Sequence, residues 1–160
     1  MQRFTDSQTW YVVFDRSTIK RWWNIFLNEE WRHITLWRDM GDGSLRVDPL
    51  AHALAIQHFD MPIDEVIADE LRQGCTAILC MTVHYGMLYR KQTPDPFTCV
   101  SVAKRLLGIN KILFTPHGLY NEMLRAGATA IKAFTPNVNY ANLPVFEVNS
   151  DEQDFQNTAN

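Results

Sequence analysis

Cys99 stands where a cysteine can become a nucleophile. It follows Asp95-Pro-Phe-Thr98, in which Pro96 interrupts helical hydrogen bonding and Thr98 is a residue type that caps helices. It opens the run Cys99-Val-Ser-Val-Ala-Lys-Arg-Leu-Leu107, whose helical pattern stops at Gly108. A helix start together with a neighbouring imidazole lowers a thiol's pKa, so the spacing predicts a value below that of a free thiol. The Cys99 amide is unpaired at a helix start, and such a donor can hold an oxyanion. The chemistry these features support is attack on a carbonyl through a covalent acyl intermediate.

A thiol nucleophile needs a base, and the fold must bring one from elsewhere in the chain. His33 begins the strand-like run His33-Ile-Thr-Leu-Trp-Arg38, and Asp48 ends the returning run Leu45-Arg-Val-Asp48. The Asp42-Gly43 dipeptide between them is a hairpin signal. Antiparallel pairing centred between Met40 and Gly41 would set positions 33 and 48 against each other. A carboxylate there would fix the imidazole tautomer and raise its basicity.

These segments carry a family resemblance. Phe97 to Gly108 resembles the nucleophile helix of NlpC-type papain-like cysteine peptidases and amidases, in which a Cys opens a helix of small and apolar residues that often ends in Gly. His33 to Asp48 is similar to their His strand, hairpin and third-polar-residue strand. The His precedes the Cys, as in the circularly permuted branch that includes lecithin retinol acyltransferase-like proteins. The resemblance spans roughly Trp10 to Arg125. It implies a papain-like fold in permuted order, with Cys99 as nucleophile, His33 as general base and acid, and Asp48 as orienting residue. Two departures stand out. Val100 occupies the position after the Cys where the family commonly has Ser, with Ser101 one place later. Bulky Ile34-Thr-Leu-Trp37 replaces a small, glycine-bearing stretch. The chain also resembles short uncharacterised bacteriophage and bacterial proteins, which implies a virion component as a setting.

The elements that must position these residues are legible in the same way. Trp10 to Phe14 reads as a strand, followed by a helix from Ser17 or Thr18 to about Leu27. The hairpin strands come next, the second ended by Pro49, then a strand over Ala51 to Phe59 and an amphipathic helix over Pro62 to Gln73. Cys75 to Tyr85 reads as the most buried strand, Lys91 to Pro96 as a loop, and Thr115-Pro116 as the start of a last helix reaching Arg125. The expected class is α+β, a mostly antiparallel sheet with helices packed on it. Residues 1–130 form one domain and residues 131–160 an extended acidic arm.

Composition narrows the function classes. Of 160 residues, 46% are hydrophobic, enough for one buried core. Residues 131–160 carry Lys132 against Glu147, Asp151, Glu152 and Asp154, which accounts for the whole net charge of −3. The neutral body lacks the basic field of a nucleic-acid binder. No run is long enough to span a membrane, and no apolar leader opens the chain. Three cysteines without a Cys-x-x-Cys pair predict reduced thiols in a cytoplasmic setting. No cofactor or metal is expected. His52 and His58 lie about 20 Å apart along a strand, and Cys80 and His84 about 13 Å. His117 is expected to cap, pack or line the cleft, and Trp22, Trp23, Trp31 and Trp37 to build core over the His strand.

Two functions remain. One is a thiol hydrolase acting on an amide or ester, with a peptide, cell-wall amide or acyl group as substrate. The other is a non-catalytic structural or assembly protein, such as a phage virion component, that uses residues 131–160 to bind a partner subunit or build an oligomer.

Overall fold

β-Branched and aromatic runs become the strands of one sheet, and capped amphipathic runs become the helices laid on it. The computed structural model describes residues 7–16, 30–50, 53–84 and 97–134. In chain order these form β1 (Ser7–Asp15), β2 (His33–Asp39), β3 (Ser44–Pro49), β4 (Leu54–Phe59), α1 (Ile63–Arg72), β5 (Ala77–His84), α2 (Cys99–Leu106), α3 (Pro116–Arg125) and β6 (Thr129–Lys132). The sheet order is β4-β3-β2-β1-β5-β6, and every neighbouring pair is antiparallel. The fold class is therefore α+β, with a six-stranded antiparallel sheet and three helices among the described residues.

Strand alternation sorts the sheet into two faces. On one, Trp10, Val12 and Phe14 of β1, Ile34 and Leu36 of β2, Val47 of β3 and Leu79 and Val83 of β5 pack against Val100, Ala103, Leu107, Leu119 and Met123 from the α2 and α3 region. On the other, Val13, Trp37 and Ile78 pack against Ile63, Val66 and Ile67 of α1. Trp31 and Trp37 are both buried, but in different cores. Trp31 meets Phe14, Tyr120, His117 and Phe134, with centroids 4.9 to 5.4 Å apart.

The helix starts follow their sequence signals. Thr115 accepts from the Gly118 amide at 3.1 Å, with Pro116 in the first turn behind it. α1 begins after Pro62 with Asp64 and Glu65 in its first turn and Arg72 in its last, matching the helix dipole. The hairpin turn uses Gly43 at a φ of 153°, where any Cβ would run into the Phe59 carbonyl oxygen of β4.

Four expectations need adjustment. The β2–β3 register pairs Leu36 with Val47 and Asp39 with Ser44, which centres the turn between Gly41 and Asp42, one residue later than expected. β4 is described from Leu54, and Ala51 and His52 lie outside the described residues. β6 crosses the expected boundary at residue 130. Phe134 joins the core edge and donates its amide to the Tyr120 hydroxyl at 3.2 Å, so the body continues through residue 134. The expected helix from residue 17 to 27, with Trp22 and Trp23, the loop at 91–96 and residues 135–160 also fall outside the described residues. No described helix is long and apolar enough to cross a membrane.

Candidate active site at one end of the sheet

The C-terminal ends of β1 and β3, the start of β2 and the start of α2 meet at the same end of the sheet. His33 is the first residue of β2, and its Nε2 lies 2.7 Å from Asp48 Oδ1. The other Asp48 oxygen accepts from Arg46 at 2.8 Å. The predicted His–Asp pair therefore forms, although by a different route from direct opposition. Continued from Leu36–Val47, the ladder sets Thr35, not His33, opposite Asp48. A register offset of two keeps both side chains on one face, so the imidazole reaches its carboxylate diagonally. An offset of one would have put them on opposite faces.

Arg46 holds the carboxylate from the side away from the imidazole, and its guanidinium stacks 5.6 Å from the Trp37 ring centroid. The His33 and Asp48 side chains are 25% and 14% exposed, so the pair is reachable by solvent yet mostly enclosed. With Nε2 engaged, Nδ1 is the nitrogen left for a reacting group.

Around α2 the local chemistry is equally specific. Thr98 and Ser101 close a reciprocal capping box, in which the Ser101 amide donates to Thr98 Oγ1 at 3.1 Å and the Thr98 amide to Ser101 Oγ at 2.9 Å. Ser101, one place later than the resemblance would have it, thus builds the helix start. The first α-helical bond runs from the Val102 amide to the Thr98 carbonyl at 3.0 Å. The Cys99 and Val100 amides remain, and both act on the Cys99 thiol together with the amide of Ile34, each favouring the thiolate. Burial outweighs them, and the nearby Asp48 charge adds to it, so the thiol is pushed up to about 11. The lowered pKa expected from the helix start is therefore corrected. A helix start offers a few partial charges, whereas enclosure removes the water that would stabilise the anion.

Thiol and imidazole are close in the sequence of contacts but not bonded. Ile34 faces the α2 core, so alternation carries the His33 Cβ to the α1 side of the sheet. The thiol rests against the Ile34 amide, the peptide next to His33, and no hydrogen bond joins the two side chains among the described residues.

Three further polar groups share the α1 side of this end. Asp15 is the cross-strand partner of His33 on β1, which sets the imidazole between two acidic neighbours. Burial raises the Asp15 carboxyl, opposed by the Arg16 amide and by the charges of His33, Lys132 and Arg46. Glu70 of α1 accepts from Trp37 Nε1 at 2.8 Å, and burial raises it as well. Lys132 donates to the Cys75 carbonyl from β6. Asp15 was detectable in sequence as the acid ending β1, once β1 is paired with β2. Glu70 carried no local signal, since an acid within an amphipathic helix looks like any solvated one.

His117 packs its ring 5.1 Å from Trp31 and lies 3.3 Å from Asn121 Nδ2. His58 is exposed between Asp42 at 3.7 Å and Asp60 at 3.6 Å. No group of three His, Cys, Asp or Glu side chains among the described residues is arranged to hold a metal. No protein-family model, curated protein or solved structure matches the chain.

Proposed function

We propose that this chain is a thiol hydrolase, a peptidase or amidase acting on an amide or ester bond, with its papain-like elements in permuted order. The observation that supports it most directly is the 2.7 Å bond from His33 Nε2 to Asp48 Oδ1, with Arg46 fixing the second carboxylate oxygen. That arrangement orients an imidazole and leaves one nitrogen for proton transfer.

In this reading the Cys99 sulfur attacks the substrate carbonyl as His33 takes the thiol proton. The tetrahedral oxyanion is held by the Cys99 and Val100 amides at the start of α2. Its collapse breaks the carbonyl's bond to the leaving nitrogen or oxygen, and His33 returns the proton to that atom. Water, deprotonated by the same imidazole, then cleaves the thioester to release the acid and restore the thiol. Because the resting thiol is neutral, the proton moves during the reaction rather than before it. Thiol and imidazole leave opposite faces at the end of the sheet, so the reaction requires the start of β2 and the start of α2 to shift relative to each other when substrate binds, a larger rearrangement than a side-chain rotation. A peptide or cell-wall amide is the preferred substrate class.

The thiol that burial pushes up favours a second reading, a non-catalytic assembly protein that retains these elements for packing. A peptide chloromethyl ketone, followed by intact mass and peptide mapping on the folded chain, separates the two. Hydrolase function requires Cys99 to be alkylated before Cys80, which is partly exposed as Cys99 is, and the preference to disappear in His33→Ala. Modification of Cys80 first, with Cys99 reacting only after denaturation, would overturn it.

A further inference from the structure

The sheet ends in two unlike edges. On one side β6 is four residues long, carries Lys132 and joins β5 with a register shift between Ile78 and Leu79. A short, charged and irregular strand is a poor template for another chain. On the other side β4 pairs with β3 in unbroken register from Phe59 to Leu54. Its six residues, Leu54-Ala-Ile-Gln-His-Phe59, include no Lys, Arg, Asp or Glu, no Pro and no Gly. Among the described residues no charged side chain, proline, bulge or covering element blunts this edge.

The outward side chains of β4 match that open edge. Leu54 is 42% exposed and Ile56 is 59% exposed, and both lie on the face that carries Val47, where α2 and α3 cover strands further in. Ile56 is opposite Val47 on one side and has no strand on the other among the described residues.

We infer that β4 is a homodimer edge, pairing antiparallel with β4 of a second copy about a twofold axis through Ile56. That axis sets Ile56 against Ile56, Ala55 against Gln57 and Leu54 against His58. Direct opposites share a face, so the two exposed isoleucines bury each other between two Val47 side chains. The strand's lack of Lys, Arg, Asp and Glu is what suits a second copy, because an isologous pairing sets a strand against itself and a charged edge would repel its own copy. The product is a continuous sheet running through both copies. The inference does not depend on the hydrolase reading.

Sedimentation velocity of the full chain over a concentration series, with Ile56→Lys alongside, tests it. The wild type is expected to sediment as a dimer, and Ile56→Lys to weaken association by about tenfold or more through opposed charges at the axis, with unchanged thermal unfolding of the monomer. Disulfide trapping fixes the register. Ile56→Cys should cross-link under mild oxidation. His58→Cys should not, because its copies stand four residues apart along the strands, about 13 Å. A wild type that stays monomeric throughout, an Ile56→Lys chain that associates as the wild type does, or equal cross-linking at the two positions would overturn the inference. Recruitment of an extended peptide to the edge of a persistently monomeric chain would overturn it too.

Discussion

At the same end of the molecule the two faces of the sheet surround a buried polar group with different partners. On the α1 side, Asp48 is largely enclosed but is given an imidazole at 2.7 Å and a guanidinium at 2.8 Å. On the α2 side, Cys99 is largely surrounded by amides and apolar side chains, with no cation beside it among the described residues, and its thiol is pushed up to about 11. Enclosure is thus met with charged partners on one face and with amides on the other, and only charged or hydrogen-bonding partners replace the hydration a buried polar group loses.

Breaking either face should show the difference, beginning with the apolar one. Trp31→Ala removes the ring that ties Phe14, Tyr120 and Phe134 together beneath α3, and is expected to cost about 3–5 kcal/mol in chemical denaturation. Asp48→Ala strands both His33 and Arg46 on the polar face, and should cost about 1–3 kcal/mol in the same measurement, with His33→Ala in that background adding little. Thr98→Ala opens the capping box and should cost about 1 kcal/mol.

The smallest effects are read against pH. Burial holds the Glu70 carboxyl above its ordinary value, so the folded chain binds that proton more tightly than the unfolded chain. Its contribution to stability is fully present below the ordinary carboxylate range and is lost as pH rises through the raised value. Glu70→Gln, which keeps an acceptor for Trp37, should remove that decline in urea titrations across the acidic range. On the other face, Cys99 alkylation by iodoacetamide in the free chain should keep accelerating beyond the ~8.5 of an ordinary thiol toward about 11. A plateau near neutrality would show that a cation reaches the sulfur and that the two faces are alike after all.

The sequence carried the local part of this arrangement. Alternating and helical spacing located the described strands and helices, except for β6, whose three exposed residues and half-buried Lys132 show no apolar face. Thr98, Gly108 and Thr115-Pro116 marked helix limits because caps and breakers act within a turn. The His33–Asp48 pair was legible because parity, not register, decides which strand residues share a face. What escaped was set by tertiary enclosure. The sign of the Cys99 shift depends on what roofs α2, and Asp15 and Glu70 join the His33 end only through β1 pairing and the docking of α1. No spacing rule contains those distances.

The strand order also dictates how the chain can reach this state. β2, β3 and β4 are joined by short connections and can zip as a meander soon after collapse. The central partner of β2 is different, because β1 must find β5, and the bridge between Thr9 and Thr82 closes a span of 73 residues at 3.1 Å. Closing so long a loop loses entropy before any contact compensates, so the β1–β5 ladder is expected to form after the meander. Refolding followed by tryptophan fluorescence should then show a phase that slows when the Thr9–Thr82 contact is removed and is insensitive to changes within the meander.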